Sequence, residues 1–163
     1  MSPRPETPAD HDRIRALHLA AFAPSTVEAQ IVDDLRAAND HVPELCLVHE
    51  HGHVMVSKGR VDQHPALGLG PIGVDPAHQR EGIGGELMRA VIERAQTTGY
   101  VLIALLGHPG YYPRFGFERG DALGIETTYD VRAHPEAWMV LPLPAFPAGL
   151  HGTFHYASAF PPS

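Results

Sequence analysis

Val74-Asp75-Pro76-Ala77-His78-Gln79-Arg80-Glu81-Gly82-Ile83-Gly84-Gly85-Glu86-Leu87 is the stretch on which the fold turns. The apolar run Leu67–Val74 ends here, the chain turns, and a helix begins among glycines. Glycines let backbone N–H groups approach a ligand with no Cβ in the way. The helix start adds unpaired N–H groups and a partial positive charge. The combination predicts a pyrophosphate cradle that works even on an acidic chain. A P-loop does not fit, because Glu86 stands where Lys-Ser or Lys-Thr would follow the last glycine. A Rossmann turn does not fit either: Asp75 to Gly82 intervene between the strand end and Ile83, and the third glycine is misplaced. The plainer alternative is a tight turn before a core helix.

The neighbouring patterns extend this unit in both directions. Ile83, Leu87, Met88, Val91, Ile92 and Ala95 form one apolar stripe of a helix that Gly99 closes. Val101–Leu106 is a continuous apolar strand. A strand–helix–strand order predicts that Leu67–Val74 and Val101–Leu106 run parallel with a right-handed crossover. Pro71 cannot donate to a ladder and the glycines around it loosen one, which predicts a bulge or splayed edge near the end of the first of these strands. Upstream, Leu45–His49 and Val54–Val61 read as a hairpin about Glu50-His51-Gly52, with Gln63-His64-Pro65 as a break before the next strand. Two helices precede the hairpin. One starts at Thr7-Pro8-Ala9-Asp10 and runs to about Phe22. The other starts at Ser25-Thr26-Val27-Glu28 in capping-box form and ends at Asn39-Asp40. Downstream lie a Gly/Pro/Tyr-rich turn and strands around Gly124–Thr128 and Trp138–Leu143. From Pro144 onward a proline-rich tail is expected to lie extended on the surface. The whole reads as an α/β chain, a single domain over 1–163.

Composition narrows the function. The 163 residues are 44% hydrophobic and 19% charged, which suits a globular core needing no metal or disulfide staple. The formal net charge of −7 excludes a sequence-independent nucleic-acid binder, which needs a basic stripe. It favours a cationic partner such as an amine. One cysteine, Cys46 in an apolar run, excludes an internal disulfide and fits a reducing compartment. No signal-peptide or membrane-spanning pattern is evident, so a soluble cytoplasmic protein is expected. His49-x-His51-x-His53 would suit zinc on a continuous strand, but Glu50 and Gly52 mark it as a hairpin tip with exposed histidines, and no metal is expected.

Gln79-x-x-Gly82-x-Gly84 resembles the (Gln/Arg)-x-x-Gly-x-(Gly/Ala) coenzyme A signature of the GNAT superfamily of N-acetyltransferases. Val74-Asp75-Pro76 resembles the family's lead-in, and Tyr112-Pro113-Arg114-Phe115-Gly116-Phe117 looks like its Tyr-x-(Lys/Arg)-x-Gly-Phe. The run Leu106–Phe117 resembles the YhbS-type branch. The resemblance covers nearly the whole chain and implies a central, splayed, mostly antiparallel sheet flanked by helices. It departs in two places. Only Met1–Glu6, with two prolines, is available for the family's first strand, so that strand is expected to be short or missing. His108 stands in a shortened loop where many relatives carry an Asn.

The resemblance implies acetyl-CoA as cosubstrate and direct transfer to the amine of a small molecule or protein. It places the pantetheine arm along the backbone of Ile72, Gly73 and Val74. The pyrophosphate meets the segment of Gln79, Arg80, Glu81, Gly82, Ile83, Gly84 and Gly85. Tyr112 is the family-matched general acid, with Tyr111 the neighbour most easily confused with it. The general base is not readable: Glu28 is already explained as a cap, and Glu44 and His108 are alternatives. Neither nucleic acid nor membrane is an expected partner, and a homodimer is compatible with the sequence. A catalytically silent CoA-binding regulatory module is the rival reading. A plain interaction domain whose glycines merely turn is a third.

Overall fold

The computed structural model describes residues 2–157 and 160. Its elements run β1 (Arg4–Pro5), α1 (His11–Ala21), α2 (Val27–Ala37), β2 (Leu47–His49), β3 (Gly52–Val61), β4 (His64–Val74), α3 (Ile83–Ala95), β5 (Leu102–Leu106), β6 (Glu118–Arg119), β7 (Ile125–Thr127), β8 (Trp138–Pro142) and β9 (Gly152–Tyr156). The strands join in one sheet of order β1-β2-β3-β4-β5-β8-β6, with β9 paired to β3 and β7. All pairings are antiparallel except β4–β5 and β7–β9.

Successive residues of a strand point to opposite faces, and this sorts the helices. A Cβ at Gly52 would meet Ile83 and Leu87 of α3. The next residue, His53, is paired with Gly73, and a Cβ at Gly73 would meet His18 of α1. So α3 covers one face of the sheet and α1 the other. The apolar stripe read from the sequence is what α3 buries: Ile83, Leu87, Met88, Val91 and Ala95.

The parallel pair is brief and that brevity makes the site. β4 and β5 are in register only at Leu67↔Ile103 and Gly68↔Ala104. Beyond Gly68 the strands diverge while β4 continues to Val74. The register of β4 against β3 also slips, from Val56↔Leu69 to Val54↔Ile72, which puts an extra residue at Gly70-Pro71. This is the bulge and splayed edge that the glycines and Pro71 predict.

The first strand is short, as expected: two residues, paired Arg4↔Val48 and Pro5↔Leu47. Three local readings need correction. Gln63-His64-Pro65 does not break the sheet. Asp62, at φ +50, lets β4 begin at His64 directly opposite Val61. The two-residue β6 carries no pattern long enough to read as a strand. Finally, the tail is extended but not superficial: β9 pairs Gly59↔Tyr156 through Val61↔Phe154, and Phe154 is wholly buried beside Trp138, Ile125 and Val140. The Trp138 indole donates to the Ile125 carbonyl at 2.8 Å, closing this second apolar cluster. The rest of the tail reading, at 158–159 and 161–163, lies outside the described residues. Phe154→Leu is therefore expected to lower thermal stability by about 1–2 kcal/mol, the scale of a buried aromatic truncated in part. A denaturant melt that leaves the midpoint unchanged would mean the tail is dispensable to the core.

Candidate active site

The turn before α3 is built by short-range contacts. The Asp75 carboxylate accepts the Ala77 N–H at 2.9 Å, and the His78 N–H donates to the Asp75 carbonyl at 2.8 Å. The Gln79 amide donates to the Val74 carbonyl at 3.4 Å, tying the turn back to the end of β4. Arg80 at φ +67 and Gly82 at φ +85 then swing the chain into the helix. Glu86 is the first residue whose N–H finds a helical acceptor, the Gly82 carbonyl at 3.0 Å. The N–H groups of Ile83, Gly84 and Gly85 therefore sit in the unpaired first turn.

These groups border a groove of about 450 Å³. Of the residues singled out from the sequence, Val74, Gln79, Arg80, Gly82, Ile83, Gly84 and Gly85 line it. Glu81 does not line it; its carboxylate turns to His78 at 3.3 Å. Ile83 lines it although its side chain is almost wholly buried. Arg89, Tyr111, Arg114 and Phe115 complete the wall. The Arg89 guanidinium sits 5.6 Å from the centre of the Phe115 ring, and that of Arg114 sits 4.6 Å from Tyr111. Arg114 also donates from Nε to the Tyr111 carbonyl at 2.9 Å. Three guanidinium groups, Arg80, Arg89 and Arg114, thus gather at one helix N-terminus of a chain whose net charge is −7. That local sign suits an anion.

The two tyrosines separate in role. The Tyr111 hydroxyl reaches over Gly84, 3.4 Å from where a Cβ would be, so this ring belongs to the groove. Tyr112 lies instead over Gly107, where β5 ends, with its ring edge-on to Tyr111 and Phe117. It is half-buried, and burial, then Tyr111, push its phenol up. Its hydroxyl therefore remains protonated at neutral pH and has no hydrogen-bond partner among the described residues. His108 is exposed and its Nδ1 accepts from Gly110 N–H at 3.0 Å, a loop role. Glu28 accepts from Ser25 Oγ at 2.7 Å, a side-chain contact and not the expected capping box, and Glu44 is exposed.

Behind β4 lies a buried polar chain that the sequence does not announce. Glu6 accepts from His53 Nε2 at 2.8 Å and from Arg36 Nε at 2.8 Å. His53 Nδ1 meets His18 Nε2 at 2.9 Å. A carboxylate can only accept, so His53 carries its proton on Nε2, and His18 donates from Nε2 to the bare Nδ1 of His53. His18 then keeps a lone pair on Nδ1, which has no partner and abuts Gly73. The expectation of exposed hairpin histidines is corrected here. β3 starts at Gly52, so His53 lies inside the strand and is fully buried, and His49 is nearly so. Among the described residues, no three His, Cys, Asp or Glu side chains are arranged to hold a metal ion.

Burial lowers the pKa of both imidazoles, that of His18 to about 3. Both are neutral in the fold, whereas an unfolded chain protonates them below about 6.5. Stability contributed by this neutrality is complete above pH 6.5 and is lost as the pH falls toward 3. Each histidine is expected to remove up to about 1.4 kcal/mol per pH unit below 6.5. Urea unfolding at pH 7.5 and 5.5 measures it; His18→Phe should flatten the difference by about that amount, and an unchanged difference would remove His18 from the account.

A forked sheet, an open groove at a glycine-lined helix start and a protonated phenol over the end of β5 form the frame of an acyltransferase that uses a nucleotide thioester. The family comparison agrees: a model described as acetyltransferase (GNAT) domain matches residues 43–119. The uncharacterized N-acetyltransferase YjhQ of Escherichia coli K12 is 34% identical over 156 residues, covering 88% of this chain and 85% of that protein. YhbS of the same strain is 31% identical over 121 residues, 71% of this chain and 72% of its own. The crystal structure of E. coli YhbS in complex with CoA superposes with a TM-score of 0.85 at 26% identity, over 97% of this chain and 90% of that one. A GNAT acetyltransferase from Brucella melitensis in complex with acetyl-CoA gives a TM-score of 0.75 at 32% identity, over 98% and 97%. The chain belongs to the GNAT acetyltransferase family.

Proposed function

We propose that this acetyltransferase binds acetyl-CoA across the β4–β5 fork and passes the acetyl group directly to the amine of a small molecule or a protein. The pyrophosphate lies against the N–H groups from Arg80 to Gly85, beside Gln79. The pantetheine arm follows the backbone of Ile72, Gly73 and Val74, and Glu81 contributes only main chain. One observation carries the reading: the anion groove at the start of α3 and the Tyr112 phenol stand on the two prongs of the same fork.

The chemistry has three demands. The amine must shed a proton, since an alkylammonium has a pKa near ~10. The thioester oxygen needs stabilisation as it becomes an oxyanion. The departing thiolate, with a thiol pKa near ~8.5, needs a proton donor. Tyr112 supplies the last. Its phenol is a weaker acid than the thiol, so it acts first by hydrogen bonding to the sulfur as charge develops. The second proton of the attacking nitrogen then balances the transfer. CoA bound to E. coli YhbS and acetyl-CoA bound to the B. melitensis acetyltransferase support the cosubstrate. The buried, unpaired Cys46 fits a cytoplasmic setting.

The deciding experiment is calorimetry with CoA followed by a screen of amine acceptors with CoA release as readout. Binding with turnover of at least one amine is the expected result. Binding with no turnover of any amine would favour a silent CoA-binding module, and no binding would reject both.

A further inference from the structure

The alternating histidines His49, His51 and His53 divide their work. His53 belongs to the buried chain behind β4. The other two stand at the tip of the β2–β3 hairpin, beside the turn that leads into α3. The β3–β4 ladder ends there at Gly52↔Val74, and one more bond follows it: the Asp75 N–H donates to the His51 carbonyl at 2.9 Å. Beyond that bond the His51 ring lies flat on the ring of His78, with centroids 3.5 Å apart and planes 7° from parallel. Both residues are half-buried.

The tip is firmly held. His49 is almost wholly buried, and its Nδ1 accepts the His51 N–H at 3.1 Å. In the neutral ring that leaves the His49 proton on Nε2, which faces the Glu86 carboxylate at the start of α3, 3.3 Å away. Arg13 of α1 donates to the His49 and Glu50 carbonyls at 3.3 and 3.1 Å. The turn is held less well. Its own side-chain bonds, from Asp75 to Ala77, from Gln79 to Val74 and from His78 to Glu81, are short-range and exposed. It also contains Arg80 at φ +67, a conformation that a non-glycine residue keeps only where its surroundings impose it. The stack joins this turn to the fixed tip.

We propose that His51 and His78 are positioning residues for the cosubstrate: their stack clamps the turn to the hairpin and presets the N–H groups from Arg80 to Gly85 for a pyrophosphate. The inference rests on the acetyl-CoA reading above. Neither ring lines the groove, so the pair acts through the backbone of the turn. A ligand that meets a loose turn must order it, and that cost is subtracted from its affinity; a turn ordered during folding spares the ligand that cost. Two carboxylates face the outer edges of the stack, Glu50 at 3.9 Å from His51 Nε2 and Glu81 at 3.3 Å from His78 Nδ1. A phenylalanine in place of either histidine keeps the ring contact and gives up these polar contacts.

The test is a double-mutant cycle read by calorimetry with acetyl-CoA. His51→Ala should weaken binding about fivefold, within the worth of one ring pair. His51→Phe should restore it to within about twofold, because the stack and not the imidazole's polarity sets the turn. In a His78→Ala background, His51→Ala should change nothing further. Melting temperature should hardly move in any of these, since both rings are half-exposed. Unchanged affinity in His51→Ala overturns the inference. So does an equal loss from His51→Ala in both backgrounds, which would mean that the two residues act separately. Failure of His51→Phe to restore binding overturns it in favour of a polar role for the imidazole. Failure of the parent to bind acetyl-CoA would instead reject the acetyltransferase reading itself.

Discussion

Replacing Gly84 by Glu is expected to weaken acetyl-CoA binding about 150-fold, or about 3 kcal/mol. Gly84 lines the groove one residue into α3, where unpaired N–H groups and three guanidinium groups face the same space. A Cβ alone would be tolerated, meeting only the Tyr111 hydroxyl at 3.4 Å and Val74 at 4.0 Å. Gly84→Ala is thus the control and should cost little. The carboxylate is what matters. It would take up the N–H groups and guanidinium groups meant for phosphate, each such charge-assisted bond being worth roughly 1.5–3 kcal/mol. It would also repel the phosphates. Raising the salt concentration should shrink the loss, because part of it is screened Coulomb repulsion. Calorimetry giving equal affinities for parent and variant would mean that the nucleotide binds elsewhere.

How far the sequence discloses this site depends on how local each contact is. The cradle is legible because its glycines, its Asp75 cap and its helix start are neighbours along the chain. The fork is legible because Pro71 and the glycines of β4 spoil a ladder wherever they occur. What the sequence hides is long-range. His18 meets His53 across 35 positions and His53 meets Glu6 across 47, and no periodicity marks such a pairing. The histidines of the hairpin read as exposed because the turn was placed to include Gly52, whereas Gly52 already opens β3. One residue of register decides which side chains face α1. The tail reads as superficial because its prolines suit an extended path, yet Phe154 and Tyr156 alternate with His155 as a strand requires. That alternation was the available signal. Arg89 had one too, four residues after Gly85 on the exposed side of α3. The order of Tyr111 and Tyr112 had none, since adjacent residues in a loop point wherever the local turn sends them.

Tyr112→Phe carries the chemical claim, and kcat is expected to fall about 100-fold, the usual scale for losing a general acid. The substitution keeps the ring on Gly107 and its edge contacts with Tyr111 and Phe117, so stability and fold should hold. Acetyl-CoA affinity should hardly change, because the hydroxyl acts on charge that exists only as the C–S bond breaks. Tyr111→Phe separates the neighbours by a different readout. Its hydroxyl lies over the cradle, so its loss should weaken acetyl-CoA binding by about 1 kcal/mol and leave kcat nearly intact. The pH profile adds a further check. Because burial raises the Tyr112 phenol above its ordinary value, the parent should lose no activity to Tyr112 ionisation between pH 7 and 9. The transposed pattern, with kcat lost at Tyr111 and affinity at Tyr112, would exchange the two assignments. Equal small effects at both would mean that the thiolate leaves without a tyrosine proton, its charge relieved by the proton that the newly acetylated nitrogen sheds.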